Sequence, residues 1–519
     1  MSRLAQSLQD IESNPDALAE LARLQRGIEK ESLRVTPNGG LSTEPHPEKL
    51  GSALTHPSIT TDFSEAQLEL ITGVHETPED CLAELQKVHS YVFENIENEL
   101  LWPASMPCVV ADDEHIPVGK YGTSNIGMAK TVYRRGLGVR YGRLMQTISG
   151  IHYNFSIPDE LWPHLGIHNQ DQKTAAYFGL IRNFRRWSWL LLYTYGASPA
   201  VCKSFTNKLD HALEELDEGS HYLPHATSLR MGPLGYQSNA QTQLHISYNS
   251  LDAYADSMVE ALTTSYPAYE QAGILDTNGE YQQLNTSILQ IENEFYGTIR
   301  PKRTIHKGER PVTALRDRGV EYVEVRCIDL NPFAPLGIDA EQIRFLDTFL
   351  IACLLADSPD DDVEESMRLS RNQLTVVEQG RDPEVELEVG ADTTIKLRAW
   401  AGQLLDECMA VAKVMDKAEG GDLHQSAVKA QLEKIADANA TPSARSLAQM
   451  SNEQIPFFRF VMNQAIAIKQ GFAESPLAPE VRATMEDEAR ASLTRQTEAE
   501  NEDSRPFPEF LSEYISLPD

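Results

Sequence analysis

Residues 27–35 place two glutamates on one face of a predicted strand. Side chains alternate between the two faces of a strand, so Glu29 and Glu31 project side by side. Carboxylates about 7 Å apart repel each other in a low-dielectric interior unless they are protonated, paired or bridged by cations. Magnesium prefers such hard oxygen ligands. The alternative is an edge strand whose acidic face is exposed to water. The other acidic segments of the chain distinguish between a metal site and such an edge strand.

Four further segments carry carboxylates, a histidine or cations in comparable patterns. Residues 59–72 bring Glu65 and Glu69 to one face whether the segment is a strand or a helix. Residues 144–158 alternate like a strand and put His152 between two amides, a setting that suits a metal ligand and a hydrogen-bonded core histidine equally. Two more acidic strands are predicted, at residues 289–299 with Glu292 and Glu294, and at residues 320–328 with Glu324 and Arg326.

The charge balance of the chain limits its partners. Its formal net charge is -32, with 45 Lys and Arg against 77 Asp and Glu, which argues against binding to nucleic acid or to an anionic membrane. An anionic substrate would therefore need a local basic pocket. One candidate is the run of cations in residues 130–143, although such a run is also typical of a solvated helix face. The other is the loop at residues 223–236, because an arginine there can bind a carboxylate through two hydrogen bonds.

The sequence predicts a cytoplasmic protein with reduced cysteines. Its N-terminus lacks the apolar core of a signal peptide, and its most apolar run, residues 189–193, is too short to span a bilayer. The six cysteines are scattered and show neither a Cys-x-x-Cys motif nor the spacing of a zinc site. We expect them to be mostly buried thiols.

A length of 519 residues allows a large hydrophobic core, and the sequence contains neither an internal repeat nor a convincing linker. We therefore expect one domain over residues 1–519. Within it, residues 1–355 are predicted to form the catalytic core around the sheet, and residues 356–495 a mainly helical part that packs on this core. Residues 496–519 are predicted to be a polar tail.

The acidic segments can form a single site if they are neighbours in one sheet. Their carboxylates would then form a funnel for two or three divalent ions, with arginines and lysines at its rim. A nucleoside triphosphate held through metal ions uses this combination well, because phosphoryl transfer depends on positioning and on charge stabilisation. The sequence contains no Walker loop, kinase glycine loop or Rossmann fingerprint. The residues alone thus predict a metal-dependent, phosphate-handling enzyme.

Six segments of the chain carry a resemblance to a known family: QRGIEKESLRV (25–35), ALTH (53–56), ITTDF (59–63), MQTISGIHYNF (145–155), IRPKR (299–303) and VEYVEVR (320–326). In this order, between about residue 15 and residue 355, they closely resemble the proteobacterial type of glutamate-cysteine ligase. The resemblance implies an α+β fold in which an antiparallel sheet, like that of glutamine synthetase, forms a funnel surrounded by helices, with a helical C-terminal part. ATP enters such a funnel at one end and the amino acids at the other.

The resemblance also implies a reaction. ATP would phosphorylate the side-chain carboxylate of glutamate, and the amine of cysteine would attack the acyl phosphate to give γ-glutamylcysteine, the first step towards glutathione. The implied small-molecule partners are L-glutamate, L-cysteine and ATP, and the implied metal is Mg²⁺, with Mn²⁺ as an alternative. We expect a monomer without nucleic-acid or membrane partners.

Matching the motifs residue by residue gives each site position an expected role. Arg326 resembles the cation that neutralises the transferred phosphoryl group, and together with Glu324 it forms the predicted catalytic pair. The residues that resemble the magnesium shell are Glu29, Glu31, Asp62, Glu69, His152 and Glu324. Those that resemble the pocket for cysteine and its carboxylate are Tyr133, Arg134, Gln146, Arg230, Tyr236 and Tyr296.

Two alternatives stay open. The first is a ligase of the same sheet type that joins glutamate to ammonia or to another amine; the residues matched to the cysteine pocket argue against it. The second is a non-catalytic sensor of metal or nucleotide. Loss of a ligand would be its signature, and every matched acidic position is present.

Overall fold

The computed structural model describes residues 2–107, 109–110, 112–207, 209–235, 240–241, 244–306 and 308–517. Its strands are β1 (Gln25–Val35), β2 (Ile59–Thr61), β3 (Gln67–Ile71), β4 (Leu100–Leu101), β5 (Ile151–Ser156), β6 (Ala200–Cys202), β7 (Glu214–Glu215), β8 (Ser220–Tyr222), β9 (Ile299–Lys302), β10 (Tyr322–Ile328), β11 (Glu386–Gly390) and β12 (Thr393–Lys396).

The helices of the first two thirds of the chain are α1 (Arg3–Ser13), α2 (Pro15–Leu21), α3 (Pro78–Asn95), α4 (Asn125–Tyr141), α5 (Gln170–Trp187), α6 (Trp189–Tyr195), α7 (Lys203–Thr206), α8 (Leu251–Thr263), α9 (Pro267–Ala272), α10 (Pro311–Arg318) and α11 (Ala340–Leu355). Those that follow are α12 (Val363–Gln379), α13 (Leu397–Glu419), α14 (Leu423–Ala436), α15 (Pro442–Glu453), α16 (Phe457–Glu474), α17 (Pro479–Glu502) and α18 (Phe507–Ile515).

An antiparallel sheet positions the polar residues found in the sequence. Its strand order is β2-β3-β1-β5-β10-β9, and β4 pairs with the end of β1. On β1, Glu31 is the direct partner of Glu69 on β3, and Glu29 is the direct partner of His152 on β5. Strand β10 pairs with β5 and adds Glu324. Because directly paired residues point to the same side, these side chains share one face of the sheet, and the expected α+β fold with an antiparallel sheet is confirmed.

The opposite face of the sheet is apolar and is covered by helices. Ile28, Leu70 and Tyr153 point to this side and are completely buried, where α3 and α5 pack against the strands. Burying a large apolar side chain stabilises a fold by about 1.5–3 kcal/mol, so this face holds the sheet in place. One cation lies among these residues: Lys30 is buried on this side, and its Nζ is 2.5 Å from Nε2 of His89 on α3.

Two predicted strands are wrong in part. Residues 292–294 form a short 3₁₀ helix, and only residues 299–302 of that region belong to the sheet. The reason is tertiary: Arg310 binds the carboxylate of Glu292 at 2.7 Å and Arg140 binds that of Glu294 at 2.9 Å, on opposite sides of the turn. In the segment predicted at 144–158, a 3₁₀ turn over residues 145–147 delays the start of β5 to residue 151.

The helical part of the chain after residue 355 packs on the layer that covers the sheet. Helix α11 contacts α3 and α5 on one side and α13 and α14 on the other. A continuous cluster of buried apolar side chains extends from Leu4 on α1 to Ala489 on α17. We therefore propose that the catalytic core and the helical part form one domain.

The tail expected at residues 496–519 is instead helical up to residue 515. Helix α17 continues to Glu502, and α18 follows at Phe507–Ile515. In α18, Leu511 is buried and Phe507 and Tyr514 are half-buried. This apolar stripe, at helical spacing, escapes notice in the sequence because acidic and small polar residues surround it.

The cysteines of the described residues are buried and unpaired: Cys81, Cys202, Cys327, Cys353 and Cys408. Burial raises the pKa of each of these thiols, to about 11 for Cys81. The prediction of buried thiols is confirmed for these five, whereas Cys108 lies outside the described residues. Among the helices of the described ranges, none combines the length and the apolar composition needed to cross a membrane.

Candidate active site

A cavity of about 620 Å³ opens on the polar face of the sheet. Strands β1, β3, β5, β9 and β10 form its floor, and α4 together with the segment at residues 291–311 forms its walls. All six residues predicted to bind magnesium line this cavity: Glu29, Glu31, Asp62, Glu69, His152 and Glu324. The structure thus brings together side chains that lie up to 295 positions apart, as 324 − 29 = 295.

His152 lies at the centre of the acidic cluster. Its Nδ1 is 3.3 Å from a carboxylate oxygen of Glu29 and 3.7 Å from one of Glu324, and its Nε2 is 3.6 Å from Glu31. The cavity therefore contains two overlapping groups of potential ligands, Glu29 with Glu324 and Glu31 with Glu69, and His152 belongs to both. In each group the ligand atoms lie within 4.8 Å of one another. Asp62, in the turn after β2, completes the acidic wall.

The electrostatics divide these carboxylates into two kinds. Burial raises the pKa of Glu31 to about 7, aided by Asp62, and burial raises the pKa of Glu69 well above its usual value, aided by Glu29. Burial also acts on Glu324, but the charges of Lys302 and Arg326 outweigh it and hold its pKa well below the usual value. One side of the cluster thus tends to keep its protons, and the other is ionised.

The donor set fits divalent magnesium or manganese. The donors are mostly hard carboxylate oxygens, with one imidazole, and Glu31, His152 and Glu324 are buried, so their ligand groups are fixed in place. Among the described residues, Nε2 of His152 and Oε2 of Glu324 are buried without a hydrogen-bond partner. Buried polar atoms are almost always satisfied, so these two atoms are explained best by a ligand that binds in the cavity. A bound cation would also remove the repulsion between Glu31 and Glu69.

Cations from β9 and β10 surround Glu324. Nζ of Lys302 lies 3.5 Å from its carboxylate, Arg326 lies 3.4 Å away, and Arg300 lies 3.8 Å away. All three cations also line the cavity, next to the acidic cluster. This arrangement places several positive charges beside the acidic cluster, where they can bind a polyanionic ligand.

Two residues predicted to bind substrate lie on the α4 wall. Tyr133 and Arg134 line the cavity opposite the sheet. The guanidinium of Arg134 lies 4.4 Å from the ring centre of Tyr121 and donates a hydrogen bond to the main-chain carbonyl of Asp62. Arg134 therefore fixes the distance between α4 and the turn that carries Asp62.

Gln146 and Tyr296 form a second part of this wall. Nε2 of Gln146 donates a 2.9 Å hydrogen bond to the hydroxyl of Tyr296, and both side chains line the cavity. The ring of Tyr296 packs against that of Tyr141 at 5.5 Å. The 3₁₀ turn at residues 145–147, which shortens β5, is what turns Gln146 towards Tyr296.

Arg230 is placed differently from its expected role. It is completely buried, donates a 2.8 Å hydrogen bond to the carbonyl of Arg326 and lies 3.8 Å from the carboxylate of Asp329. It is not among the described residues that line the cavity. Its hydrogen bond supports the main chain of β10 at Arg326. Tyr236, the other pocket residue predicted in this loop, lies outside the described residues.

The sequence model of the glutamate-cysteine ligase family matches residues 8–376 of the chain. This range contains all of the strands that carry the acidic cluster.

The chain belongs to the glutamate-cysteine ligase family.

Curated relatives agree with this assignment, and the family expected from the motifs is confirmed. The glutamate-cysteine ligase of Pseudomonas putida (strain W619) is 50% identical over 500 residues, which cover 95% of each chain. That of Alcanivorax borkumensis is 48% identical over 512 residues, which cover 97% of each chain. The chain is accordingly an enzyme of this family.

A solved structure shows the same fold. The glutamate-cysteine ligase of Francisella tularensis in complex with AMP superposes with a TM-score of 0.90 at 37% identity, over 95% of this chain and 97% of the other. A bifunctional glutathione synthetase from Pasteurella multocida, at 24% identity and a TM-score of 0.73, shares the fold over 93% of this chain.

The ligase contains a second cavity, of about 540 Å³, at the other end of β1. Glu29 lines both cavities, so the acidic cluster lies where they meet. Gln25 and Asn154 line the second cavity from the sheet, and Thr304 and Tyr322 line it from the side of β9 and β10.

The cations of residues 130–143 have two different structural roles in the ligase. Lys130 and Arg134 line the first cavity, and burial lowers the pKa of Lys130 to about 8. Arg135, Arg140 and Arg143 instead hold neighbouring segments: they donate to the carbonyls of Tyr281, Asn285 and Glu114, respectively.

Sequence reasoning missed the outermost part of the cavity wall. Ile305, Arg310 and Tyr514 line it, together with the two carboxylates that had been expected on a strand. Tyr514 lies more than 180 positions beyond β10, so no local pattern links it to the site. The aromatic spacing of Phe507, Phe510 and Tyr514 was the signal available in the sequence.

Proposed function

We propose that the enzyme joins the side-chain carboxylate of L-glutamate to the amine of L-cysteine, using ATP, and so catalyses the first step of glutathione synthesis. A carboxylate oxygen of glutamate attacks the γ-phosphorus of ATP, and ADP leaves. The amine nitrogen then attacks the acyl carbon of the resulting γ-glutamyl phosphate, loses a proton and displaces phosphate. The observation that carries this proposal is the acidic cluster around His152, with Arg326 and Lys302 beside it in one cavity.

The metal-binding residues of this proposal are those of the acidic cluster. Mg²⁺ held there would supply positive charge that offsets the charge of the phosphates. Within the chain, His152 orients the cluster because it contacts Glu29, Glu31 and Glu324 from one position. Glu31 and Glu69 give up the protons that their burial retains, and Glu324 enters the cluster already ionised.

Arg326 is the proposed catalytic cation. It projects from β10 next to Glu324 and lines the cavity, so it can approach the outer oxygens of the transferred phosphoryl group. Negative charge on these oxygens has to be stabilised in the transition state, and a fixed guanidinium does so without reorganisation. Arg300 and Lys302 extend the positive region along β9.

The acceptor amino acid is proposed to bind between α4 and the turn at residues 145–147. Tyr133, Arg134, Gln146 and Tyr296 surround this part of the cavity. The charge of Arg134 suits the carboxylate of cysteine, and the Gln146–Tyr296 hydrogen bond fixes two polar groups beside it. Arg230 is proposed to act indirectly, because it supports the main chain of Arg326.

We place the nucleotide in the second cavity, with its phosphates directed towards Glu29. The shared residue Glu29 supports this placement, because the phosphates must reach the acidic cluster while the base stays outside it. The Francisella tularensis relative was crystallised with AMP, which supports the use of an adenine nucleotide.

The decisive experiment measures ADP release by the purified enzyme with Mg-ATP and L-glutamate, with and without L-cysteine, and identifies the product by mass. We expect release that depends on cysteine and yields γ-glutamylcysteine. Release that follows ammonia or another amine instead would assign a different acceptor to the same fold. Binding of nucleotide without any release would favour a sensor and overturn the proposal.

Two variants connect this activity to the cluster. Glu324→Gln removes one ligand charge with little change in shape, and we expect it to lower turnover by at least about 100-fold. The matched control is Glu214→Gln, which makes the same change on an exposed residue of β7 and should leave turnover unchanged. Circular dichroism and thermal unfolding would show that both variants are folded.

A further inference from the structure

The C-terminal helix α18 closes the outer wall of the first cavity. Tyr514, on its last turn, lines the cavity beside residues of α4. Three sets of contacts hold this helix in that position.

The first is an aromatic contact surface. Phe507 meets the ring of Tyr281 edge-on at 5.2 Å, and the rings of Phe510 and Tyr514 stack at 5.6 Å. Leu511 is 4% exposed and packs with Ala129 and Val132, both on α4. Helix α18 therefore lies directly on the helix that carries Tyr133 and Arg134.

The second observation is a polar connection between α18 and the cavity wall. Arg310 binds the carboxylate of Glu292 through two of its nitrogens, Nε at 3.0 Å and Nη2 at 2.7 Å. The third nitrogen, Nη1, donates a 3.2 Å hydrogen bond to the main-chain carbonyl of Tyr514. Because Glu292 and Arg310 line the cavity too, the position of Tyr514 is coupled to that of the wall.

The third observation concerns the start of α4. Glu500 accepts a 2.9 Å hydrogen bond from the main-chain N–H of Thr123, and Asp503 accepts one from that of Asn125. The carbonyl of Arg505 accepts a 3.0 Å hydrogen bond from the side chain of Asn125. The end of α17 and the segment that follows it thus fix the start of α4, and α18 then packs on the same helix.

We infer that α18 is a structural part of the acceptor site and that Tyr514 is a residue that limits the size of the acceptor side chain. This inference rests on the proposed function. Tyr514 lines the first cavity together with Arg134 and Glu292, and it is absent from the described residues that line the second cavity. An aromatic ring in that wall restricts the room for the acceptor side chain, so one with two heavy atoms, such as that of cysteine, is admitted and a longer one is disfavoured.

The test compares two acceptors that lack a thiol, L-2-aminobutyrate and L-norvaline, which differ by one methylene. The quantity measured is the ratio of kcat/KM for norvaline to that for 2-aminobutyrate. Because one methylene typically changes kcat/KM about 10-fold or more in a fitted pocket, we expect Tyr514→Ala to raise this ratio roughly 3- to 10-fold. The KM for ATP should change less than about twofold, since Tyr514 does not line the nucleotide cavity.

Three further variants separate a specificity role from a merely structural one. Tyr514→Phe keeps the ring and should leave the ratio unchanged. Tyr514→Trp enlarges the ring and should lower the ratio, and it retains the apolar contacts of the helix if Tyr514→Ala fails to fold. Phe507→Ala removes from the same helix a ring that contacts Tyr281 and is not among the described residues lining the cavity, so it should lower thermal stability without changing the ratio.

The inference is overturned if Tyr514→Ala and Phe507→Ala change the ratio alike, or if Tyr514→Ala and Tyr514→Trp both leave it unchanged. This failure is distinct from failure of the proposed function. If only the inference on Tyr514 fails, the wild-type enzyme still forms γ-glutamyl products with amine-dependent ADP release. If the proposed function fails, the wild-type enzyme forms no such products.

Discussion

Glu31 on β1 and Glu69 on β3 are direct partners across two antiparallel strands, so their carboxylates face each other on the polar side of the sheet. Burial raises the pKa of both, that of Glu31 to about 7. A metal ion needs the deprotonated form of each group. The pair is therefore a place where binding of a cation and release of protons have to be linked.

We predict that Mg²⁺ binding releases protons at pH 7 and that the affinity for Mg²⁺ rises as the pH increases through about 7. The affinity rises with pH because the carboxylates have raised pKa values. At low pH protons compete with Mg²⁺ for these groups, and this competition weakens as the pH increases through about 7. Calorimetry in buffers of different ionisation enthalpy measures the protons released. In Glu69→Gln the release should be smaller.

The control for this prediction is Glu324→Gln. Lys302 and Arg326 overcome the effect of burial and hold the pKa of Glu324 well below its usual value, so this group has no proton to release near neutrality. The variant should bind Mg²⁺ more weakly but release as many protons per bound ion as the wild type. Proton-neutral binding by the wild-type enzyme would contradict the proposed metal site.

Arg326→Lys should lower kcat by about 100- to 1000-fold, because a lysine keeps the charge but loses the planar array of donors that stabilises the transferred phosphoryl group. The affinity for Mg²⁺ should change little. The same substitution at Arg303, which lies near Glu321 outside the first cavity, serves as the control and should keep kcat within about twofold. Steady-state ADP release measures both variants. A similar loss in the two would point to a general effect on the sheet.

Tyr296→Phe should raise the KM for the amine acceptor about 3- to 10-fold, since it removes one hydrogen bond of roughly 1 kcal/mol in the wall of the acceptor site. The KM for ATP should not change. In a double-mutant cycle with Gln146→Leu, the two losses should be less than additive, because Gln146 donates to the Tyr296 hydroxyl. Strict additivity would mean that the hydrogen bond does not contribute to acceptor binding.

Lys30→Gln should increase the free energy of unfolding at pH 7 by about 1–3 kcal/mol. Burial lowers the pKa of Lys30 to about 7, so between pH 7 and its usual value near 10.5 the unfolded chain binds more protons than the folded one. Stability contributed by this site therefore rises with pH over that range, and the advantage of glutamine should fade towards pH 10.

Thermal unfolding from pH 6.5 to 10 would measure this effect. A glutamine amide can still donate to His89, so the variant isolates the charge from the hydrogen bond. Lys49→Gln removes a lysine from the surface and should show no such pH dependence. If Lys30→Gln lowered stability at every pH, the buried lysine would be stabilising rather than tolerated.

The sequence permitted accurate prediction where structure depends on near neighbours. Alternation along β1 places Glu29 and Glu31 on one face independently of tertiary contacts, and the structure confirms this placement. Prediction from the sequence fails where contacts with residues outside the segment determine its backbone structure. Glu292 and Glu294 were expected on a strand because their spacing fits one, yet they bind Arg310, 18 positions away, and Arg140, 154 positions away, and so lie on a 3₁₀ turn.

The same limit applies to the cavity wall. Motif matching selected Tyr133, Arg134, Gln146 and Tyr296, and all four line the first cavity. It could not find Tyr514, because the contacts that bring α18 onto α4 depend on packing between segments nearly 400 positions apart (514 − 125 = 389). It also could not foresee that the buried guanidinium of Arg230 would bind the main-chain carbonyl of Arg326.

The five buried cysteines have a chemical consequence for an enzyme whose proposed acceptor carries a thiol. Disulfide exchange requires a thiolate that can reach its target. Burial disfavours ionisation of these thiols and shields their sulfur atoms from other molecules. Cystine and other oxidised forms of the substrate can therefore accumulate around the folded enzyme without forming mixed disulfides at these positions. Under oxidative stress, depletion of reduced cysteine would stop synthesis before modification of these five thiols could do so.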